Sequence, residues 1–422
     1  MSLAYALVLF LILGVIAGLP LFVILGAVAT LCYSLQGHAD LSGVIEDIYF
    51  AADKEILLAI PLFILAGNLM THGAIARRLI RIASSLTAPL PAGLGVAAVL
   101  SCTLFAAISG SSPVTLIAIG TMMYPALVEA GYSRSFSTGL LTAAGTLGII
   151  IPPSIPMIVY SIMASVPVTD MFIAGVLPGL LLATILMVYA MYHGRKIPRG
   201  RWDTAEFVAA FKSGFLSLLV PVIILGGIYS GFFTATEAAA IAVAVALIIE
   251  LGFYRELKLS LVWKSMTDTT EMLGMIFFIL LFAVSFNKFL ILEQIPQNLV
   301  GDLSGFISTQ FGFLIGVNIL LLIAGCFMDI MSAILVFAPL LTPMAVHYGI
   351  NPIHFGIIMI VNLEIGYLTP PVGINLFVAS AAFRQPLGDV IRAAIVPALM
   401  LLSGLMVITF WPTLCMVLLP GK

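Results

Sequence analysis

Long apolar runs recur from one end of this chain to the other, and each reaches the roughly 20 residues that an α-helix needs to cross a hydrocarbon core. Of its 422 residues 62% are hydrophobic and only 9% charged, against about a quarter charged in soluble domains. The chain therefore reads as an integral membrane protein set in a lipid bilayer. Short alternating strands, the mark of a membrane β-barrel, do not occur in it, so the fold class is all-α and polytopic. A net charge of −2 with scattered Lys and Arg forms no basic patch, which excludes nucleic acid as a partner. Cys32, Cys102, Cys326 and Cys415 fall singly in apolar runs, a pattern of packing residues rather than of disulfides or zinc ligands. The first run lacks a basic leader and a small-residue cleavage site, so it is read as a retained span.

Hydropathy places spans at 3–18, 20–36, 54–73, 171–193, 213–231, 235–252, 267–288 and 390–418, with bent spans at 135–165 and 353–383. Two other apolar regions, 91–127 and 309–345, are about twice a helix length and carry polar centres, "ISGSSPVT" and "AGCFMDIMS". A re-entrant hairpin with its tip inside the membrane fits such a centre better than a plain helix pair. The pattern occurs twice. Pro125, Gly131, Gly148, Pro152 and Pro153 recur 218 residues later as Pro343, Gly349, Gly366, Pro370 and Pro371. Such register marks an internal duplication: a first repeat at 1–193, a linker at 194–212 and a second repeat at 213–422.

Each repeat then holds five spans plus one hairpin that returns to its own side, and an odd count inverts the second repeat in the membrane. Arg195, Lys196, Arg199, Arg201 and Lys212 in the linker set that side as cytoplasmic. Arg77, Arg78, Arg81, Arg134, Arg255, Lys258, Lys264 and Arg384 fall on the same side, and both termini on the other. Arg77 to Ala88 and Ile291 to Ser308 read as interfacial arms leading into the hairpins.

Proline has no N–H, so a carbonyl one turn earlier loses its helical partner. Pro152 and Pro153 release the carbonyls of Gly148 and Ile149, Pro370 and Pro371 those of Gly366 and Tyr367, and Pro113 that of Ser109. In hydrocarbon such groups need a partner, and a small hard cation prefers oxygen. Two cation sites are expected, each joining a hairpin tip to a bent helix: Ser109, Ser111, Ser112 and Thr115 at the first, Gly325, Asp329, Gly366, Thr369 and Val372 at the second. Half-helix N-termini at the breaks and tips also suit an anionic solute. Ser111, Thr115, Ser154, Asp329, Ser332 and Asn375 are the candidates to touch it, while Asn362, Asn375, Ser332 and Ser161 serve equally well as helix glue. Of the charges inside spans, which tend to be functional, Asp329 at the tip ranks before Glu364. Glu55, Glu237 and Glu271 suit helix starts. A discrete polar centre in each half argues for a secondary transporter over a channel, and no catalytic motif argues for an enzyme. The coupling ion stays open between sodium and protons, with backbone oxygen leaning towards sodium.

Five ordered motifs, "LLAIPLFILAGNLM" at 57–70, "SGSSPVT" at 109–115, "GIIIPPSIPMIVY" at 148–160, "TEAAAIA" at 236–242 and "GYLTPPVGINLFV" at 366–378, resemble the large membrane subunit of tripartite ATP-independent periplasmic (TRAP) transporters. The resemblance implies a sodium-driven importer of organic acids, such as C4-dicarboxylates or sialic acids, in a bacterial inner membrane. It implies two partners, a four-helix small membrane subunit on a separate chain and a periplasmic substrate-binding protein. It implies a monomeric elevator of the ion transporter superfamily, in which hairpins and bent helices move against a scaffold. Carried over by residue, the family's sodium (Na+) sites fall on Ser109, Ser112, Gly148 and Ile151, and on Gly325, Gly366, Thr369 and Val372. Ala235 stands where the family pattern has proline. A proton-coupled carboxylate transporter without a binding protein, or an ion channel, is the alternative.

Overall fold

The structure, a computed structural model, describes residues 19, 21–35, 42–195, 197–295 and 309–419. Among them there are helices and no strands. Nine of the described helices are long and apolar enough to cross a membrane, and the pair Arg134–Ile150 and Ile155–Ala164, bent by 43°, raises that to ten. The expected span at 3–18 and most of the arm at Ile291 to Ser308 lie outside the described residues.

The described residues open with α1 (Leu21–Leu35) and a short α2 (Ser42–Ala52), then α3 (Ala59–His72) and α4 (Ile75–Thr87). The arm expected at Arg77 to Ala88 is α4. It buries Leu79, Ile82 and Ala83 and turns Arg77 and Arg81 outward, as an interfacial helix does. Its start is fixed from afar: the buried carboxylate of Glu250 accepts the amides of Ala74 at 2.8 Å and Ile75 at 2.9 Å. The first tip region is α5 (Gly93–Ser109) and α6 (Ser112–Glu129), followed by α7 (Arg134–Gly145), a turn at Leu147–Ile150, the break, α8 (Ile155–Ala164) and α9 (Val168–His193).

Next come α10 (Thr204–Tyr229), α11 (Ala235–Leu247) prolonged by a π-helical turn at Ile248–Tyr254, and α12 (Leu259–Leu292). The second tip joins α13 (Gln310–Phe327) to α14 (Ile330–His347). The second broken helix is α15 (Pro352–Gly366) and α16 (Ile374–Phe383), followed by α17 (Leu387–Phe410) and a single turn at Thr413–Met416.

Three expected boundaries move. Asp203 accepts from the amides of Ala205 and Glu206 at 2.9 and 3.1 Å, so α10 starts at Thr204 instead of 213 and takes in Lys212, shortening the linker. Because α12 starts at Leu259, Glu271 is an exposed mid-helix residue and not a helix start. The last span ends at Phe410, since Pro412 cannot continue the ladder. Glu237 does sit at a helix start, closing a capping box with Thr234.

The half-helix after each break packs on the tip region of the other unit: α8 on α14, and α16 on α6. The Tyr160 hydroxyl pins the first of these contacts through a hydrogen bond of 3.2 Å with the Thr342 hydroxyl, and it donates to the Pro352 carbonyl at the start of α15 at 2.7 Å.

Candidate functional site

At the first tip the chain reverses through Gly110, at φ +59°, a left-handed conformation that suits glycine. Its carbonyl accepts from Ile155 N at 3.5 Å across the break. Ser109 and Thr115 share a hydroxyl hydrogen bond of 2.6 Å, and both are buried with Ser112. Gly148 lies so close that a Cβ there would come 2.5 Å from both the Ser111 carbonyl and Thr115 Oγ1. Three of the four residues of the first expected sodium site, Ser109, Ser112 and Gly148, thus meet at one place. Ile151 stands at the edge of the break with its amide bound to the Leu147 carbonyl at 2.9 Å. Among the described residues no backbone N–H reaches the Gly148 or Ile149 carbonyl across the break, as the proline pair requires.

At the second tip Val372 N and Gly373 N donate to the Cys326 carbonyl at 3.1 and 3.4 Å. Gly325 and Gly366 meet backbone to backbone: a Cβ on Gly366 would stand 2.6 Å from Gly325 Cα. Gly325, Gly366 and Val372 are therefore held together. Thr369 follows Gly366 in a tightened turn, its hydroxyl donating to the Ile365 carbonyl at 3.1 Å. One expectation is corrected. The Gly366 carbonyl is not orphaned, because Thr369 N donates to it at 2.9 Å. The helix ends in successive three-residue bonds, Leu368 to Ile365 and Thr369 to Gly366, a common way to satisfy terminal carbonyls. The Gly366 oxygen keeps a second lone pair for a cation.

Several solute candidates turn out to cap helices. Asp329 accepts from Ser332 N at 2.9 Å and from the Ser332 hydroxyl, starting α14, and Ser154 accepts weakly from Met157 N at 3.5 Å, starting α8. Asp329 and Ser111 nonetheless line a cavity of about 370 Å³. Ser111 and Pro113, Ile155 and Pro156, Ile330 and Met331, and Ile374 on its wall are the first residues of α6, α8, α14 and α16 or lie next to them. Four helix N-termini, with their partial positive charge, therefore converge on one space. Among the described residues no Lys or Arg lines it. Two features of this wall had no sequence signal: Met272, Ile276 and Ile279 come from α12, and the Tyr367 hydroxyl accepts from Ile330 N at 2.7 Å, joining break to tip. A larger cavity of about 670 Å³ at the far ends of α6 and α16 is lined by Glu129, Arg134, Arg384, Asp389 and Arg392. It lies where α6 and α16 end and α7 and α17 begin, away from both breaks.

Asn375 and Glu364 are fully buried on either side of the second break. Asn375 Nδ2 donates to Glu364 Oε1 at 3.1 Å and to the Ser112 hydroxyl of the first tip. Glu364, ranked behind Asp329 from sequence, is thus the carboxyl where the two units meet, and Asn375 bonds to it and to Ser112. Asn362, two residues before Glu364, donates to Asn318 Oδ1 at 2.8 Å and ties α15 to α13.

Comparison with known proteins agrees with this architecture. The family model described as "Tripartite ATP-independent periplasmic transporter, DctM component" matches residues 5–414. The C4-dicarboxylate TRAP transporter large permease protein DctM of Pseudomonas aeruginosa is 45% identical over 374 residues, covering 88% of each chain. The ectoine/5-hydroxyectoine TRAP transporter large permease protein UehC of Ruegeria pomeroyi is 33% identical over 367 residues, 86% of this chain and 85% of that protein. The solved structure of the Alcanivorax borkumensis YdaH transporter superposes with a TM-score of 0.64 over 94% of this chain and 98% of its own, at 14% identity, a likeness of fold alone.

Proposed function

Because the chain belongs to the tripartite ATP-independent periplasmic transporter family as its DctM component, we propose that it is the sodium-coupled membrane permease for a small organic acid, of the C4-dicarboxylate or sialic acid type. It takes the acid from a periplasmic binding protein and works in the bacterial inner membrane beside a separate four-helix small subunit. The observation that carries this reading is the cavity of about 370 Å³ ringed by the first residues of α6, α8, α14 and α16. Helix N-termini attract a carboxylate, and the volume lies in the usual range for small ligands. The Asp329 carboxylate on the same wall repels an anion unless cations enter with it, which couples solute to ion. Sodium is proposed at Ser109, Ser112, Gly148 and Ile151, and at Gly325, Gly366, Thr369 and Val372, where bare or half-used oxygens gather. The tips (91–127 and 309–345) and broken helices, related as inverted repeats 1–193 and 213–422, move together as an elevator against the outer helices.

The test is uptake of radiolabelled C4-dicarboxylates into proteoliposomes holding the permease, its small subunit and loaded binding protein. Accumulation driven by an inward sodium gradient is expected. Accumulation driven by a proton gradient alone overturns sodium coupling, and downhill leakage without coupling overturns the transporter reading in favour of a channel.

A further inference from the structure

The cluster of Glu364, Asn375 and Ser112 has more oxygen than hydrogen. Asn375 Nδ2 serves both Ser112 and Glu364 Oε1, which leaves Glu364 Oε2 and Asn375 Oδ1 buried with no donor. All three residues are fully enclosed, and none of the ion pairs among the described residues includes Glu364. A buried carboxylate without a counter-charge is expensive, and so is an acceptor without a donor. A single positive charge between the two bare oxygens removes both costs.

We infer that Glu364 and Asn375, with Ser112, bind one sodium ion at a site of their own. Ser112 opens α6, Asn375 lies in the first turn of α16 and Glu364 in the last turn of α15, so three helix ends meet at these oxygens. An ionised carboxylate, an amide carbonyl and a hydroxyl are an oxygen donor set of the kind hard cations take. The ion bridges the first tip and the second break, elements 263 residues apart for Asn375 and Ser112, so its binding fastens one unit to the other. Of its three residues only Ser112 also belongs to a proposed break site, the first.

The choice of sodium rests on the sodium-coupled reading, and a binding count keeps the two apart. The full chain in lipid nanodiscs, without solute, is titrated with 22Na+ in a potassium background, and the ions bound per chain are counted. Glu364→Gln keeps the shape and removes the charge, and is expected to bind one ion fewer than wild type. Asn375→Ser is expected to lose the same ion, so the site stays testable if the first variant fails to fold. An unchanged count in a folded variant overturns the site. An unchanged sodium count with loss of one titrating proton in Glu364→Gln shows a proton carrier and also overturns it. No sodium bound by wild type overturns this site together with the sodium-coupled function, whereas a normal wild-type count with unaltered variants overturns this site alone.

Discussion

Val372 donates its amide to the Cys326 carbonyl at 3.1 Å, so the chain just past the second proline pair is stitched to the tip between α13 and α14. Beside it Gly325 and Gly366 touch through their backbones. The second break is held open by the tip that faces it, and any sodium ligand there depends on that contact.

Gly366→Ala tests the contact. The new methyl would stand 2.6 Å from Gly325 Cα, and overpacking of this kind costs about 1–3 kcal/mol. The second sodium site should weaken by roughly tenfold or more, read as a rise in the sodium concentration for half-maximal uptake. A sodium response equal to wild type would place the ligands elsewhere.

Asp329→Asn separates charge from capping. Asparagine also accepts the Ser332 amide at a helix start, so thermal stability should stay near wild type. Loss of the charge on the cavity wall should lower uptake about tenfold, the scale of one charge-assisted hydrogen bond. Uptake within twofold of wild type would confine Asp329 to capping α14.

Glu250 gives a prediction about stability. Glu250→Ala strips the acceptor from the buried amides of Ala74 and Ile75, and leaving a buried donor bare costs about 2 kcal/mol. A lower thermal midpoint is expected, with α4 cleaved first in limited proteolysis. Gly73→Ala should act likewise, since a Cβ there runs into the Glu250 carboxylate.

Orientation is checked with cysteines. Arg199 is exposed ahead of α10 and Phe232, 82% exposed, follows it. Arg199→Cys should react with an impermeant maleimide only from the cytoplasm and Phe232→Cys only from the periplasm. The reverse pattern would invert the assigned direction.

Much of the arrangement was written in local chemistry. Hydropathy alone identified a multi-pass helical membrane protein, because a bilayer demands long apolar helices whatever they pack against. Proline marked both breaks, because a missing N–H interrupts a ladder in any surroundings, and Ser111, Gly148, Gly325 and Gly366 could be singled out as neighbours of those breaks. Helix ends were less legible: Asp203 moved the start of α10 by capping, and Thr369 closed the Gly366 carbonyl by tightening a turn. Tertiary structure alone decided what crosses between the units. Glu364, Asn375 and Ser112 are joined over 263 residues of chain, and Glu250 reaches Ala74 over 176. Periodicity and composition report on the nearest few residues, whereas the partner of a buried carboxyl is set by how α6, α15 and α16 pack, and that is fixed only when the whole set of helices closes on one core.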